Sequence, residues 1–456
     1  MKKFMLLFIL TSLISITYSQ NIINVTPGDG TLKQAIQSAQ TNDIIKLVPG
    51  GLYTESTDAY FTITKPITIE VDGDSKSVKP IIKIQKPVNS SYPNSYFVLS
   101  NNSGITVKGI EFDGIYNNAV VITDFVRFNV GSTPQPINVK NIKIIDCYIH
   151  HTLKDVINGQ ESAYKSNVTI DTIIISNSII HDVANGGVVH LKSSVAKYVE
   201  IRNSTIYKFA PYGVRILGYT NTGQHISAYL KVDHITMDNG LTGIKNFITM
   251  EEVEGDGGCL ITNSIFSNLN ESPEGSQKGL YWKNKEYSLY DSVALVKNVC
   301  LWRDGKRDFR LNMFKDTVTM NPNYKDAAKG DFTLPDNSPL QTMSTTKGPI
   351  GDPRWGKLTN GIKKINETPS VFYLDQNYPN PFNPTTNIRF TLPKSDYVSL
   401  VIYNLVGKEI TRLVDGRLNA GTYLYEFNSK GLSSGVYFYR LSTSSGSIIK
   451  KMTLIK

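Results

Sequence analysis

The sequence predicts an all-β protein, a right-handed parallel β-helix (a solenoid) followed by a small Ig-like antiparallel β-sandwich. Three observations carry that prediction. A short β-rich phrase returns about once every thirty residues, helix-period apolar patterns are missing between residues 100 and 300, and the composition shifts near residue 358. Beyond the shift, alternating Tyr, Val and Phe strands are parted by Gly and Asn turns.

The returning phrases are IIDCYI at 144, IISNSII at 174, EIRNSTI at 200, KVDHITM at 231, LITNSIF at 260 and LVKNVCL at 295. Their Asn or Asp positions, Asp146, Asn177, Asn203, Asp233, Asn263 and Asn298, are 31, 26, 30, 30 and 35 residues apart, a solenoid spacing. A second strand follows each phrase after a variable loop: GVVHL at 187, GVRIL at 213, GIKNF at 243 and GLYW at 279. Stacked coils of this kind bury one continuous apolar core, and aligned Asn side chains can bond to one another at the bends. The L-x-x-L-x-L and Trp-Asp signatures of leucine-rich repeats and propellers are missing.

Taken in chain order, residues 1–19 read as a cleaved signal peptide. Lys2 and Lys3 precede the apolar run from Phe4 to Ile16, which is shorter than the ~18 residues of a membrane span. No other segment approaches that length, so no span is expected in the mature chain. The net charge of +9 falls to +7 without Lys2 and Lys3, and the excess is scattered. Scattered positive charge favours acidic partners, and no nucleic-acid-binding module accompanies it. Cys147, Cys259 and Cys300 form no C-x-x-C pair and sit among β-branched or aromatic residues, which makes them core thiols. Residues 20–357 are assigned to the β-helix, with TLKQAIQSA forming a capping helix over about residues 31–39 ahead of the strand DIIKLVPGGLYTE. Residues 358–371 read as a polar linker and 372–456 as the C-terminal module. Pro379, Pro381 and Pro384 suit an edge or lead-in of that module.

Strand alternation locates the chemistry. With Val189, Leu191, Val214, Ile216 and Ile244 facing the core, His190, Lys192, Arg215 and Lys245 face outward as a basic column. Tyr212, Tyr219, Tyr281 and Trp282 are close enough in the repeat to add aromatic surface. Such a face suits an acidic sugar chain, whose carboxylates pair with Lys and Arg while its ring faces rest on aromatics; the bland reading is an ordinary solvated face. His150 and His151, adjacent on a strand, are expected to point to opposite sides, and Glu251, Glu252, Glu254 and Asp256 read as a solvated loop. No metal ligand set is therefore expected.

Several phrases resemble known families. Asp43, Ile45, Leu47, Gly51 and Tyr53, following the short helix, resemble the opening of secreted polysaccharide lyases and other pectin-lyase-like β-helix proteins, and FTLPDNSPLQ with GDPRW at 351–355 resembles the closing segment of such helices. HLKSS at 190 and YGVRILG at 212 are similar to the active-site region of the chondroitinase B and alginate lyase family. That resemblance implies β-elimination from uronate-containing glycans, with Lys192 in the place of the Brønsted base and Arg215, 23 residues on, in that of its partner arginine. The family's two calcium-binding glutamates fall on Asn185 and Gly187, so no calcium cofactor is expected, and Ile216 replaces the histidine that follows the arginine. NYPNPFNPTTNIRFTLP at 377, VIYNLVGKEI at 401, LNAGTYLYEF at 418, LSSGVYFYRL at 432 and the final KKMTLIK closely resemble the sorting domain of type IX secretion substrates. They imply the type IX machinery as a partner and the cell surface or medium as destination. Two function classes result: an acidic-polysaccharide lyase, or a non-catalytic carbohydrate-binding or surface-structural β-helix.

Overall fold

Alternation along the strands produces the coils. In Val168–Ser176, Ile170, Ile173 and Ile175 are fully buried while Asp171, Thr172 and Ile174 stay half-exposed. One row of coils runs Gly104–Lys108, Ile137–Ile145, Val168–Ser176, Ser194–Leu217, Tyr229–Asp238, Gly258–Thr262 and Ala294–Lys297, every neighbouring pair parallel. Further rows close the coils, and 26 strands join in one hydrogen-bonded parallel network, the right-handed parallel β-helix expected from the repeat. The structure, a computed structural model, describes residues 20–73, 78–85, 94–129, 136–159, 168–191, 194–217, 228–238, 246–251, 258–268, 278–283, 294–302, 306–308, 314–345, 348–356, 362–366, 372–394, 396–418, 421–444 and 446–455.

The core is one continuous cluster running from Val25 to Leu301. Near its lower end Tyr96, Phe97, Phe112 and Phe125 meet edge to face or tilted, with ring centroids 4.8 to 5.9 Å apart. Cys147, Cys259 and Cys300 are buried thiols joined in no disulfide, as core thiols should be.

The bend column consists of residues in the left-handed region, where Asn and Asp are tolerated best. Asp146, Asn177, Asn203, His234, Asn263, Asn298 and Asp316 have φ between 50° and 55°. The fourth member is thus His234, one residue beyond the expected Asp233. Asp233 instead accepts hydrogen bonds from Thr262 Oγ1 (2.6 Å) and Asn263 Nδ2 (2.8 Å) of the next coil. Two column side chains also reach the closing segment rather than each other. Thr345 N donates to Asn263 Oδ1 at 2.9 Å, and Asn298 Nδ2 donates to the Met343 carbonyl.

Asn263→Ala is therefore expected to destabilise the chain by about 2–4 kcal/mol, combining roughly 1–2 kcal/mol of left-handed backbone strain with about 1 kcal/mol per lost hydrogen bond. Asn263→Gly keeps the backbone and should recover the strain contribution. Urea denaturation of the two variants checks the difference; equal losses would contradict the assignment of strain to this bend.

The capping helix spans Thr31–Ser38 and buries Leu32, Ala35 and Ile36 over the first coil. The resemblance motif that follows is structural. Asp43 accepts from the N–H groups of Gln40 (2.7 Å) and Asn21 (3.1 Å), and the Tyr53 hydroxyl bridges Val48 N and Val25 O at 2.8 Å each. At the other end the closing segment lies along the coils. Asp352 accepts from Thr205 Oγ1 at 2.6 Å, Trp355 Nε1 donates to the same Thr205 Oγ1 at 2.6 Å, and Gly351, at φ 83°, leaves no room for a Cβ, which would stand 2.7 Å from Thr236 Oγ1.

The C-terminal module is two four-stranded antiparallel sheets packed on a separate core that includes Leu374, Phe390, Leu400, Tyr439 and Met452. Pro379, Pro381 and Pro384 precede the strand Thr385–Leu392, as a lead-in should. The linker differs from expectation, because Ile362–Asn366 pairs antiparallel with Gly421–Asn428 as an edge strand. Edge pairing needs only backbone groups and tolerates lysines such as Lys363 and Lys364, so this strand carries little apolar signal.

Candidate functional site

The alternation through the second strands is as expected: Val189, Leu191, Val214 and Ile216 are buried, and Tyr212 and Arg215 lie half-exposed on the outer face. Register places Asn158, His190, Arg215, Thr249 and Tyr281 in one row across successive coils. Trp282 pairs with Met250 in the neighbouring row that contains Ile216, so it does not share the Arg215 row. Lys192, Lys245 and Tyr219 lie outside the described residues, and Tyr281 and Trp282 are described by their backbone alone.

His190 departs from the expected solvent-facing position. It shares the row of Arg215, yet it is only 3% exposed. Its Nδ1 meets Asp155 Oδ1 at 3.0 Å, and the same oxygen accepts the Gly187 N–H at 2.5 Å. The neighbouring Gly186 allows the coils to approach this closely, since a Cβ there would lie 2.3 Å from the Lys154 carbonyl carbon. Tyr212 packs against His190 with ring centroids 5.0 Å apart, and the Arg215 guanidinium lies over the same Tyr212 ring at 5.0 Å. One aromatic ring thus positions a histidine and an arginine from adjacent coils. Asn185 is exposed and Gly187 buried.

Beneath this group sits a second buried carboxyl that the sequence reading missed. Asp124 Oδ1 accepts from Asp155 N (3.2 Å) and Asn158 Nδ2 (3.0 Å). Burial, with the Asp155 charge added to it, pushes the Asp124 carboxyl from 3.8 up to about 7. The native chain holds this proton up to near neutrality, whereas the unfolded chain releases it near 3.8. The stability it contributes is therefore complete below about pH 4 and is lost as pH rises to about 7. We expect wild-type stability to fall by roughly 2–4 kcal/mol across that window and the fall to be flattened in Asp124→Asn. Denaturation midpoints between pH 4.5 and 7.5 check this, and parallel curves for the two proteins would refute it. The signal in the sequence was the coil period itself, since Asp124 and Asp155 stand 31 residues apart.

A second polar cluster occupies a different row, in which Asp113, His150, His181, Tyr207 and Asp238 are successive partners. The rings of His150 and His181 stack 5.2 Å apart at 5°, and Tyr207 continues the stack 4.7 Å from His181. The expectation that His150 and His151 point to opposite sides is corrected here. His151 adopts φ 61°, which breaks the strand alternation and brings its Nδ1 to 2.7 Å from Nδ1 of His150. Both nitrogens face Asp113 Oδ1, at 3.5 Å from His150 and 3.4 Å from His151. Burial works against ionisation of Asp113, but hydrogen bonds from His151, Lys83 and the Ile115 N–H, with the His150 charge, hold its carboxyl well below the usual carboxylate range.

Among the described residues no helix is long and apolar enough to cross a membrane. Residues 230–355 match a family model described as a domain of unknown function (DUF5123). No curated protein matches the chain. Solved structures similar to it include the PL6 family alginate lyase AlyGC, at 17% identity and a TM-score of 0.36 over 58% of this chain and 39% of that one. A mutant of the same enzyme aligns at 17% identity and a TM-score of 0.41 over 62% and 40%. The chain thus spans about two fifths of the length of these neighbours. Residues 376–456 match the secretion system C-terminal sorting domain. The protein is a right-handed parallel β-helix carrying a type IX sorting domain, exported to the cell surface or the medium.

Proposed function

We propose that the protein acts on acidic, uronate-containing glycans by β-elimination, on the outer face that holds Arg215. The observation that carries this reading is the Tyr212 ring shared by His190 and Arg215, beside the buried Asp155. Elimination requires a base for the acidic proton beside the uronate carboxylate and positive charge for the enolate that develops. Arg215 supplies the charge, and its position over Tyr212 orients the guanidinium. Lys192, two residues beyond His190 in the chain, is the base by the family resemblance; a lysine takes that role where neighbouring cations or burial lower its pKa. Tyr212, Tyr219, Lys245 and Tyr281 contribute to glycan binding, while the buried His190 backs Tyr212 from within. Neither Asn185 nor Gly187 offers a carboxylate, so the reaction runs without calcium.

The Asp155 contact supports a second assignment of the base. With His190 Nδ1 donating to that carboxylate, Nε2 is the basic nitrogen of the neutral ring, the arrangement of an oriented general base. The second function class, a non-catalytic glycan binder, uses the same face without turnover. Incubation of the purified chain with alginate, chondroitin, dermatan and pectate, followed at about 235 nm where unsaturated products absorb, separates the classes. Absorbance should rise with at least one uronate; a flat trace on all four would reject the lyase reading and leave the binder.

A further inference from the structure

We propose that Asp113, His150 and His151 form a binding site for one divalent first-row transition-metal ion, with zinc as the natural probe. The proposal rests on where three ligand atoms converge. Nδ1 of His150, Nδ1 of His151 and Oδ1 of Asp113 are separated by 2.7, 3.5 and 3.4 Å. Ligand atoms about 2.0–2.1 Å from a tetrahedral ion stand about 3.3 Å apart, so both nitrogen–oxygen separations already fit, and a small ring rotation opens the nitrogen pair.

The surroundings fix which atoms face inward. His150 Nε2 lies 3.3 Å from Glu111 Oε1, and His151 Nε2 lies 4.0 Å from Asp182 Oδ2. Without an ion, the 2.7 Å Nδ1–Nδ1 contact is a hydrogen bond that shares a proton. A bound ion displaces that proton, and the carboxylates beside the Nε2 atoms favour the tautomers that turn both Nδ1 lone pairs to the metal. Lys83 binds the other oxygen, Asp113 Oδ2, at 2.6 Å, and the Ile115 N–H reaches Oδ1 at 3.1 Å, so Asp113 is held to offer one oxygen. His181 stays out of the set because its nitrogens already engage Asp182 (2.6 Å) and Tyr148 (2.9 Å).

His150 is buried and the His151 side chain is 30% exposed, so the site opens to solvent on one side. An ion enters there and keeps a fourth position for water or a ligand group. The set of two imidazoles and one carboxylate suits zinc and similar ions better than calcium. Because Asp113 and His150 belong to adjacent coils, a bound ion also clips those coils together.

Titration of the metal-free full chain with zinc chloride at pH 7.5 should give one equivalent bound and a melting temperature that rises with zinc. Cobalt chloride should give visible d–d absorption of a nitrogen–oxygen site. His151→Asn retains a residue that tolerates the left-handed backbone, and Asp113→Asn removes the anionic ligand; each should weaken zinc binding by at least about 100-fold. His234→Asn, at a bend where other coils carry Asn, should bind zinc as wild type does. Absence of stoichiometric zinc or cobalt binding by the wild-type chain would overturn the proposal. Zinc affinity unchanged in His151→Asn would overturn it as well, by placing the ion elsewhere.

Discussion

A chain ending at residue 371 is expected to remain in the periplasm of a type IX-competent host, with essentially none reaching the surface or medium. Residues 376–456 match the sorting domain, and they fold on a hydrophobic core separate from that of the β-helix. The last strand, Gly446–Leu454, lies at a sheet edge, where Met452 and Leu454 are buried and Lys451 is exposed. That edge and its positive charge are expected to be read by the export machinery. The truncated chain should still melt cooperatively, because the coil stack carries its own core. Cell fractionation with immunodetection reads the outcome, and surface delivery of the truncated chain would refute the assignment.

Lys192→Ala is expected to lower turnover of a uronate substrate by about 10²–10⁴-fold while glycan affinity changes little, because a general base acts on the transition state. Lys192→Arg should be equally inactive, since a guanidinium does not give up its proton near neutral pH. Arg215→Ala should reduce both affinity and turnover, with the larger loss in turnover. Steady-state kinetics on the most active glycan separates these outcomes. If Lys192→Arg retains full turnover and His190→Ala abolishes it, the proton goes to the histidine held by Asp155 instead.

The fold was legible because a coil repeat leaves a periodic trace: β-branched strands and a left-handed bend residue that recurs about once per coil. The off-by-one at His234 shows how that trace blurs. Asp233 fits the composition of the column, but the backbone turns at the next residue, and no residue-type rule separates the two. The candidate site was legible only in part. Alternation gave the outward direction of His190 and Arg215, while the cover over His190 depends on carboxylates from other coils. Asp113 and Asp155 come from about one coil away and Asp124 lies beneath Asp155, so their roles emerge only when the coils stack. The paired rings of His150 and His151 were hidden for a different reason, because period-2 alternation fails wherever φ turns positive.

The Arg215 face itself is tested most directly by one calorimetric titration, in which wild type and Arg215→Ala are compared against the same uronate oligosaccharide at low salt. Both function classes require Arg215 to hold the glycan carboxylate. The variant should therefore bind at least about tenfold more weakly, corresponding to loss of roughly 1.4 kcal/mol or more from a charge-assisted contact. Equal affinities for the two proteins, or no binding by wild type to any uronate chain, would contradict the assignment of this face.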